Sequence, residues 1–499
     1  MTTLNEIGEV GTHATFDVHD PGTGDVVGTY PIHTAADIAE TVTRARAAFE
    51  WWSRLDYAER ARRLAGFAGL LARRMRQLAA VMHDETGKPY SDAALEVSLA
   101  LDHLRWAGKN APKVLGRKSA RVGLLTVNQA ASVEYKPLGV IGVIGPWNYP
   151  VFTPLGSIVY ALAAGNAVVF KPSEYSPGVG RWLVDMFAEV VPEHPVLQLI
   201  TGDGSTGAAL CESGVDKVAF TGSTATAKKV MAACARTLTP IVAECGGKDV
   251  LIVDADADLD AAVNAALWAG MANAGQSCIG TERVYVHERI YDAFTDKLVA
   301  KAKELRAGTD AGAKIGPITM PKQLDVIRRH IEDAIARGGR ALTGGAATIT
   351  GQLVQPTVLV DVPEDAPAVT EETFGPTLTV AKVPDMDTAI ARANDSRYGL
   401  SAAVFAKARG RELADRLRTG MVSVNAVFTF PQIPSLPFGG VGDSGFGRIH
   451  GPDGLREFTY AHAVARQRFP SPMALTTFDR TRKTDDTVAT LMALLFGRH

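Results

Sequence analysis

Five apolar runs between residues 140 and 243 limit what this chain can fold into more than any other feature of its sequence. The runs cover 140–144, 167–170, 196–200, 217–220 and 240–243. Helix-forming segments follow the first four runs, at 153–164, 178–191, 205–213 and 224–237. Strands that are buried on both faces read as continuous apolar runs, so this alternation predicts a parallel β-sheet with crossover helices.

A second stretch of alternating strand and helix patterns extends from about residue 249 to 442. At 499 residues the chain is too long for one ordinary core, so we expect a second α/β domain there. Before the first sheet, the patterns predict short strands within 14–32 and helices at 35–52, 64–78 and 91–106. After residue 468, Val488, Leu491, Met492 and Leu495 fall on one face of a predicted amphipathic helix.

The composition is typical of a soluble globular enzyme. With 52 basic and 54 acidic residues, the net charge of -2 gives no electrostatic reason to bind nucleic acid or an anionic membrane. The longest apolar stretch, 158–170, is too short to span a bilayer, and the N-terminal residues lack the pattern of a secretory signal. The four cysteines show no metal-binding spacing, which favours a cytoplasmic protein with reduced thiols and no metal.

Polar, glycine and aromatic residues follow the ends of the five runs. These segments are 146–150, 171–174, 202–204, 221–223 and 244–247. In parallel sheets, ligands bind beyond the carboxyl ends of the strands. The candidate functional residues therefore lie where the predicted topology places a site.

Cys278 is the candidate nucleophile. It lies in the segment 274–278, which is predicted to form a tight loop before a strand at 283–286. A thiolate there can add to a carbonyl carbon, although a single cysteine is more often a small buried hydrophobe. The side-chain amide of Asn148 can hold the resulting oxyanion, or it can cap the following helix. Glu244 can act as a base for water, or it can cap a turn.

A dinucleotide groove is predicted without the usual GxGxxG fingerprint, which is absent after these strands. Gly222 and Ser223 open the helix at 224–237, whose N-terminal amides can hold a phosphate. Lys171 and Glu174 end the neighbouring strand and can bind ribose hydroxyls. A carboxylate at that position repels a 2'-phosphate, which favours NAD over NADP.

Seven short motifs occur in a fixed order along the chain. They are PWNYP at 146–150, KPSE at 171–174, FTGS at 220–223, ECGGK at 244–248, GQSC at 275–278, EETFGP at 371–376 and PFGG at 437–440. This order and spacing resembles the aldehyde dehydrogenase superfamily over residues 15–468. The resemblance implies oxidation of an aldehyde to a carboxylic acid through a cysteine thiohemiacetal and thioester.

The resemblance also implies a role for each matching residue. Cys278 is then the nucleophile, Glu244 the general base, and Asn148 with the Cys278 backbone amide the oxyanion hole. The implied cofactor is NAD, with NADP also allowed. Its binding residues are Lys171 and Glu174 at the adenosine ribose, Ser223 at the pyrophosphate, Glu372 and Phe374 at the nicotinamide riboside, and Ile144, Trp147, Ser173, Gly204, Phe220, Gly222 and Gly246 along the groove.

The implied fold is α/β with three parts and a tail. A Rossmann-like cofactor domain comprises 1–118 and 138–246, and a catalytic α/β domain comprises 247–445. A small β arm comprises 119–137 and 446–468, and a C-terminal extension covers 469–499. Because the stretches 121–135 and 457–466 resemble the family's oligomerisation arms, we expect a homodimer or homotetramer.

Three features depart from the common family pattern. Ala227 replaces a frequent glycine and is expected to crowd the pyrophosphate. Cys245, beside the base, either packs in the core or forms an oxidation-sensitive thiol pair with Cys278. The tail and the segment 434–447 resemble the class 3 and fatty-aldehyde branch, whereas 246–260 resembles bacterial semialdehyde dehydrogenases.

Two other functions remain open at this stage. Acyl transfer to coenzyme A would replace hydrolysis, although Glu244 argues against it because deacylation by a thiol needs no water-activating base. A non-catalytic family member would act as a binding or structural protein. The aldehyde itself is not identified. The C-terminal helix either packs on its own subunit or docks on a partner or at the substrate entrance.

Overall fold

Four β-sheets organise the chain, and a computed structural model describes them over residues 14–471, 473 and 475–497. The strands are β1 (Thr15–His19), β2 (Val26–Pro31), β3 (Lys118–Ala120), β4 (Gln129–Pro137), β5 (Val140–Ile144), β6 (Ala167–Lys171), β7 (Leu197–Leu199), β8 (Lys217–Thr221), β9 (Ile241–Glu244), β10 (Asp249–Val253), β11 (Thr281–His287), β12 (Arg340–Thr343), β13 (Thr357–Val360), β14 (Thr377–Val383), β15 (Ser401–Phe405), β16 (Met421–Val424), β17 (Gly445–Phe446) and β18 (Thr459–Gln467).

Helices connect and cover these strands. They are α1 (Ala35–Trp52), α2 (Tyr57–Thr86), α3 (Tyr90–Leu115), α4 (Phe152–Ala164), α5 (Pro177–Val190), α6 (Gly204–Glu212), α7 (Thr224–Ala235), α8 (Leu259–Met271), α9 (Tyr291–Ala302), α10 (Gln323–Ala336), α11 (Pro367–Thr370), α12 (Met386–Asn394), α13 (Gly410–Asp415), α14 (Gly451–Glu457) and α15 (Arg482–Phe496).

The first large sheet has the strand order β17-β9-β8-β5-β6-β7. Its strands β5 to β9 are parallel, and they match the five predicted runs to within one or two residues at each end. Their side chains share one core with helices α1 to α7. The α/β class predicted from the apolar runs is confirmed.

The second large sheet has the order β12-β13-β14-β11-β10-β15-β16 and is parallel except for β12. Its first strand along the chain, β10, begins at Asp249. Only four residues, which include a Gly-Gly turn, separate it from the end of β9 at Glu244. This short link places the end of β9 beside the second sheet. Glu244 therefore lies close to the boundary between the two sheets.

The arm is a three-stranded antiparallel sheet with the order β18-β4-β3. The strand predicted at 121–135 begins later, at Gln129, because a 3-10 turn occupies Leu124–Thr126. Strand β17 pairs antiparallel with β9, so residues near the predicted boundary at 445 return to the first sheet. The complete division into domains stays a prediction.

Helix α15 confirms the predicted C-terminal helix, yet none of its residues is buried in the described structure. Val488, Leu491 and Met492 are half-buried, and Leu495 is exposed. Both interpretations of this helix therefore stay predictions. Among the described residues, no helix combines the length and apolar character needed to cross a membrane.

Candidate active site

The parallel strands of the first sheet end side by side and open a groove of about 530 Å³. Ile144 at the end of β5 pairs with Lys171 of β6 and with Phe220 of β8, while Thr221 pairs with Glu244 of β9. Nine of the twelve predicted cofactor residues line this groove. They are Ile144, Trp147, Lys171, Ser173, Glu174, Gly204, Phe220, Gly222 and Ser223.

Helix α7 points its N-terminus at the groove. Ser223 is the N-cap residue, and its hydroxyl accepts a hydrogen bond of 3.3 Å from the Thr226 amide. The other amides of the first turn and the positive end of the helix dipole suit a phosphate group. Ala227 is buried, so its methyl group packs in the core and not in the groove. The predicted crowding of the pyrophosphate is therefore wrong.

Lys171 supplies a buried cation to the groove wall. Its ammonium donates a 3.0 Å hydrogen bond to the Pro172 carbonyl, which uses one of three N–H donors. Burial lowers the pKa of Lys171, and the nearby carboxylates of Glu174 and Asp203 counteract part of that effect. A ligand hydroxyl can accept from the remaining donors. The groove thus fits the ribose and phosphate groups of a dinucleotide.

Sequence reasoning missed the helix residues that face the groove. Gly207 and Ala208 of α6 line it, as do Thr226, Lys229 and Val230 of α7. Gly207 and Ala208 lie three and four residues after Gly204, and Thr226, Lys229 and Val230 lie three, six and seven residues after Ser223. Helical periodicity measured from Gly204 and Ser223 would have identified them.

Cys278 follows a loop with an unusual backbone. After α8 ends at Met271, Asn273 and Ala274 adopt left-handed φ angles of 52° and 56°. Such angles are costly for residues other than glycine, so the surrounding contacts must hold them. Gly275 is also left-handed, and a Cβ there would lie 2.1 Å from the Gly375 carbonyl oxygen. Only glycine fits at that position.

Hydrogen bonds join this loop to the loop that carries Asn148. The Asn148 side-chain amide donates to the Gln276 carbonyl at 3.0 Å. In return, the Asn273 amide donates to the Asn148 carbonyl at 3.0 Å. An amide nitrogen carries two hydrogens, so Asn148 keeps a second donor. The carbonyl that its first donor contacts belongs to Gln276, two residues before Cys278. The predicted oxyanion donor thus lies beside the predicted nucleophile.

Glu244 is buried at the end of β9. Within the described part of the chain, neither of its carboxylate oxygens has a hydrogen-bond partner. Burial raises the pKa of Glu244 well above its usual value, against the attraction of the Arg448 guanidinium. Ionising a buried carboxyl without partners costs desolvation energy. The Glu244 carboxylate therefore binds a proton more tightly than an exposed carboxylate, which makes it a stronger base.

The surroundings of Cys278 favour its protonated thiol over the thiolate. Burial raises its pKa, and the carboxyl groups of Glu244, Glu372 and Asp249 raise it further by disfavouring a thiolate. Burial and the same glutamates raise the pKa of Cys245 to about 12. Cys245 is buried in the main core, which favours its interpretation as a packing residue.

The other three predicted cofactor residues lie toward Cys278 and not along the groove. Glu372 accepts a 2.9 Å hydrogen bond from the Gly247 amide, and its carboxylate lies against Gly246, where a Cβ would be 2.2 Å away. Burial raises the pKa of Glu372 to about 8. The Phe374 ring meets the Trp147 ring edge-on at 5.6 Å and connects this group to the groove.

A buried ion pair braces the Asn148 loop from behind. Lys88 and Glu96 form a salt bridge in which both side chains are almost fully buried. The other oxygen of Glu96 accepts from the amides of Val151 and Phe152 at 2.8 and 3.0 Å, at the start of α4. The Lys88 ammonium lies 4.0 Å from the centre of the Tyr149 ring. The sequence analysis did not identify this pair, because its two members look like ordinary surface charges.

A second cavity, here called the channel, has Cys278 in its lining and shares no lining residue with the cofactor groove. It encloses about 100 Å³. Its lining is mainly apolar and aromatic, and it comprises Asp92, Leu95, Glu96, Leu99, Tyr149, Phe152, Thr153, Trp268, Ala272, Ser277, Cys278, Ile279, Phe428, Pro431, Gln432 and Phe438. Cys278 thus opens on an apolar channel that is separate from the polar groove. Over the described residues, no group of three or more His, Cys, Asp or Glu side chains could hold a metal ion.

We expect Glu244→Gln to shift the reactivity of Cys278 toward lower pH. Removing a carboxylate that disfavours the thiolate lowers the pKa of the thiol, so alkylation by iodoacetamide should begin at a lower pH than in the wild-type protein. Mass spectrometry of the labelled Cys278 peptide across a pH series measures this. Glu332→Gln, on the exposed face of α10, is the matched control. Identical profiles for Glu244→Gln and the wild type would contradict the electrostatic coupling.

We expect Glu96→Gln to destabilise the protein by about 3–5 kcal/mol, because it leaves the Lys88 ammonium buried without its partner. Thermal unfolding should show a clearly lower midpoint. The double variant Lys88→Met/Glu96→Gln removes the orphaned charge and should recover much of the loss. Glu189→Gln, which breaks a partly exposed pair with Arg74, should change little. Equal decreases in the unfolding midpoint for Glu96→Gln and Glu189→Gln would show that burial of the ion pair does not determine its contribution to stability.

Comparisons with known proteins agree with this arrangement of sheets and site. The family model described as the aldehyde dehydrogenase family matches residues 9–464. The 4,4'-diapolycopene aldehyde oxidase of Methylomonas sp is 38% identical over 90% of this chain and 86% of that protein. A Mycolicibacterium smegmatis protein with the provisional name succinate-semialdehyde dehydrogenase, NADP(+), is 35% identical over 94% of this chain and 92% of its own.

A solved structure extends the likeness to three dimensions. PnpE in complex with nicotinamide adenine dinucleotide superposes with a TM-score of 0.88 at 34% identity, covering 94% of this chain and 96% of that one. A further structure of PnpE comes from Pseudomonas sp. WBC-3. With the family model spanning nearly the whole chain and relatives above 30% identity, this chain belongs to the aldehyde dehydrogenase family and is an oxidoreductase of the aldehyde group.

Proposed function

We propose that this enzyme oxidises an aldehyde to the carboxylic acid through a covalent intermediate on Cys278, with NAD as the acceptor. One observation carries the proposal: Cys278 lines the channel, hydrogen bonds join its loop to the loop of Asn148, and its thiol is electrostatically coupled to Glu244. A nucleophile, an oxyanion donor and a proton acceptor are thus grouped at the place where two ligands can meet.

The reaction begins when the Cys278 thiol gives its proton to solvent water and the sulfur adds to the carbonyl carbon. The carbonyl oxygen becomes an oxyanion, which the Asn148 amide and the Cys278 backbone N–H stabilise. Bound NAD supplies the acceptor for the hydride that leaves this carbon, and the carbon becomes a thioester carbonyl. The thioester keeps the acyl group on Cys278 until water attacks it.

Glu244 performs the second half of the reaction. Its carboxylate accepts a proton from water as the water oxygen attacks the thioester carbon, and Cys278 departs with the release of the acid. Because burial raises the pKa of Glu244, hydrolysis should weaken as the pH falls through that raised value and protonates the base. This base also favours hydrolysis over acyl transfer to coenzyme A, which needs no activated water.

Lys171, Glu174 and Ser223 are proposed to hold the cofactor, with Glu372 and Phe374 near its reactive end. NAD is the favoured form because Glu174 lines the groove, where its carboxylate would repel a 2'-phosphate, although Lys229 adds a cation to the groove lining. The relatives include both forms of the cofactor: PnpE was solved with nicotinamide adenine dinucleotide, and the Mycolicibacterium smegmatis protein is named for NADP(+).

Assembly and location also belong to this proposal. The exposed arm β18-β4-β3 supports a homodimer or homotetramer, since an antiparallel sheet with a long terminal strand can pair with another copy. All four cysteines are free thiols, which supports a cytoplasmic location.

Cys278→Ala and Glu244→Gln should interrupt the reaction at different stages. Cys278→Ala should form no adduct and no NADH. Glu244→Gln should release about one equivalent of NADH per active site in a burst and then retain an acyl group, because the thioester forms but is not hydrolysed. Rapid-mixing absorbance measures NADH, and intact-protein mass spectrometry detects the acyl adduct. Steady turnover by Glu244→Gln would remove this residue from the role of base.

Glu174→Gln should narrow the preference for NAD over NADP by at least about tenfold, because it removes a carboxylate that repels the 2'-phosphate. The ratio of kcat/KM for the two cofactors measures this effect with any aldehyde that is oxidised. Glu332→Gln again serves as the surface control and should leave the ratio unchanged. A wild-type ratio that favours NADP would contradict the cofactor assignment.

A further inference from the structure

The wall of the channel selects against charge on the substrate. Within the described chain, no Lys, Arg or His lines the channel, and its only charged members are Asp92 and Glu96. Glu96 is already committed to Lys88 and to the amides at the start of α4. Asp92 is half-buried; burial raises its pKa, and the cations of Lys88 and Lys314 counteract part of that effect. A substrate carboxylate would therefore meet no cation in the lining of the channel.

Nearby cations do not serve the channel. Lys88 is almost fully buried behind the wall and is paired with Glu96. Lys301 and Lys314 border a neighbouring cavity of about 340 Å³, which shares Asp92, Trp268 and Ala272 with the channel. Lys301 also donates a 2.6 Å hydrogen bond to Asn264. Neither ammonium group belongs to the lining of the channel itself.

The size and surface of the channel define what it does accept. Its enclosed volume of about 100 Å³ is much smaller than the groove of about 530 Å³, so it admits a slim chain and not a bulky group. Leu99, Phe152, Ile279 and Phe438 offer apolar surface along its length. Near the outer end, Leu95 and Trp268 are 45% and 47% exposed, so the apolar surface continues to the solvent.

We propose that the substrate is an aldehyde on a slim, unbranched apolar chain, and that aldehydes with a short-range terminal carboxylate are poor substrates. This inference rests on the proposed oxidation at Cys278. Each methylene placed in the channel contributes by leaving water, whereas a carboxylate placed there loses hydration without gaining a partner.

The test compares kcat/KM with NAD for butanal, pentanal, hexanal, octanal and decanal, and for succinic semialdehyde. We expect an increase of about fourfold per methylene until the chain reaches the outer end, since a buried CH₂ contributes about 0.8 kcal/mol. Pentanal should exceed succinic semialdehyde, which is similar in length, by at least about tenfold. A higher kcat/KM for succinic semialdehyde than for pentanal would overturn the inference while leaving the oxidation intact.

Leu95→Arg provides a gain-of-function variant that avoids burying a charge, because Leu95 is partly exposed. It should raise the ratio of kcat/KM for succinic semialdehyde over pentanal by about two- to fivefold, the range for a partly exposed ion pair. Ile335→Arg, on the exposed end of α10, is the matched control and should leave the ratio unchanged. An unchanged ratio in folded Leu95→Arg would place the substrate tail elsewhere and overturn the inference. Absence of reduced cofactor with every aldehyde would overturn the oxidation, and the inference with it.

Discussion

The hydrogen bonds between the Asn148 loop and the Cys278 loop hold the whole site together. Asn148 follows a strand of the first sheet, and Cys278 precedes a strand of the second. The two exchanged amide–carbonyl bonds therefore connect the cofactor side of the molecule to the catalytic side. The left-handed backbone of Asn273 depends on the same contacts, since its side chain makes one of them. A shift of either sheet would separate the nucleophile from its oxyanion donor.

Electrostatics set the resting state of this site. Three carboxyl groups disfavour the Cys278 thiolate, and Glu244 itself resists ionisation because it is buried without a partner. Each of these two reactive groups therefore holds its proton more tightly than it would in water. Buried ion pairs lie one layer further out. The pair of Glu96 and Lys88 supports the Asn148 loop. Glu282, which is paired with Lys248, accepts hydrogen bonds from the backbone amides of residues 373 and 374, beside Glu372.

The sequence predicted the class of fold and the edge of the sheet at which most of the candidate cofactor residues lie. Strands that are buried on both faces have continuous apolar sequences. The ends of β5 to β9 were therefore predicted to within one or two residues. Groove residues at strand ends were also found, because topology alone places them at one edge. It was harder to predict from the sequence which helix side chains face the groove. Ala227 was assigned to the groove, yet the rotation of α7 turns it into the core and presents Thr226 and Lys229 to the groove instead.

By itself, the sequence determined the class of fold, the family motifs and the chemical type of each reactive group, because these follow from local pattern and residue chemistry. Only the tertiary structure decided how those groups influence one another. Burial of Glu244, the separation of Glu372 from the groove and the channel without cations depend on residues far apart in the chain. The physical reason is that pKa values and ligand selectivity arise from desolvation and neighbouring charges, which exist only after distant segments have packed together.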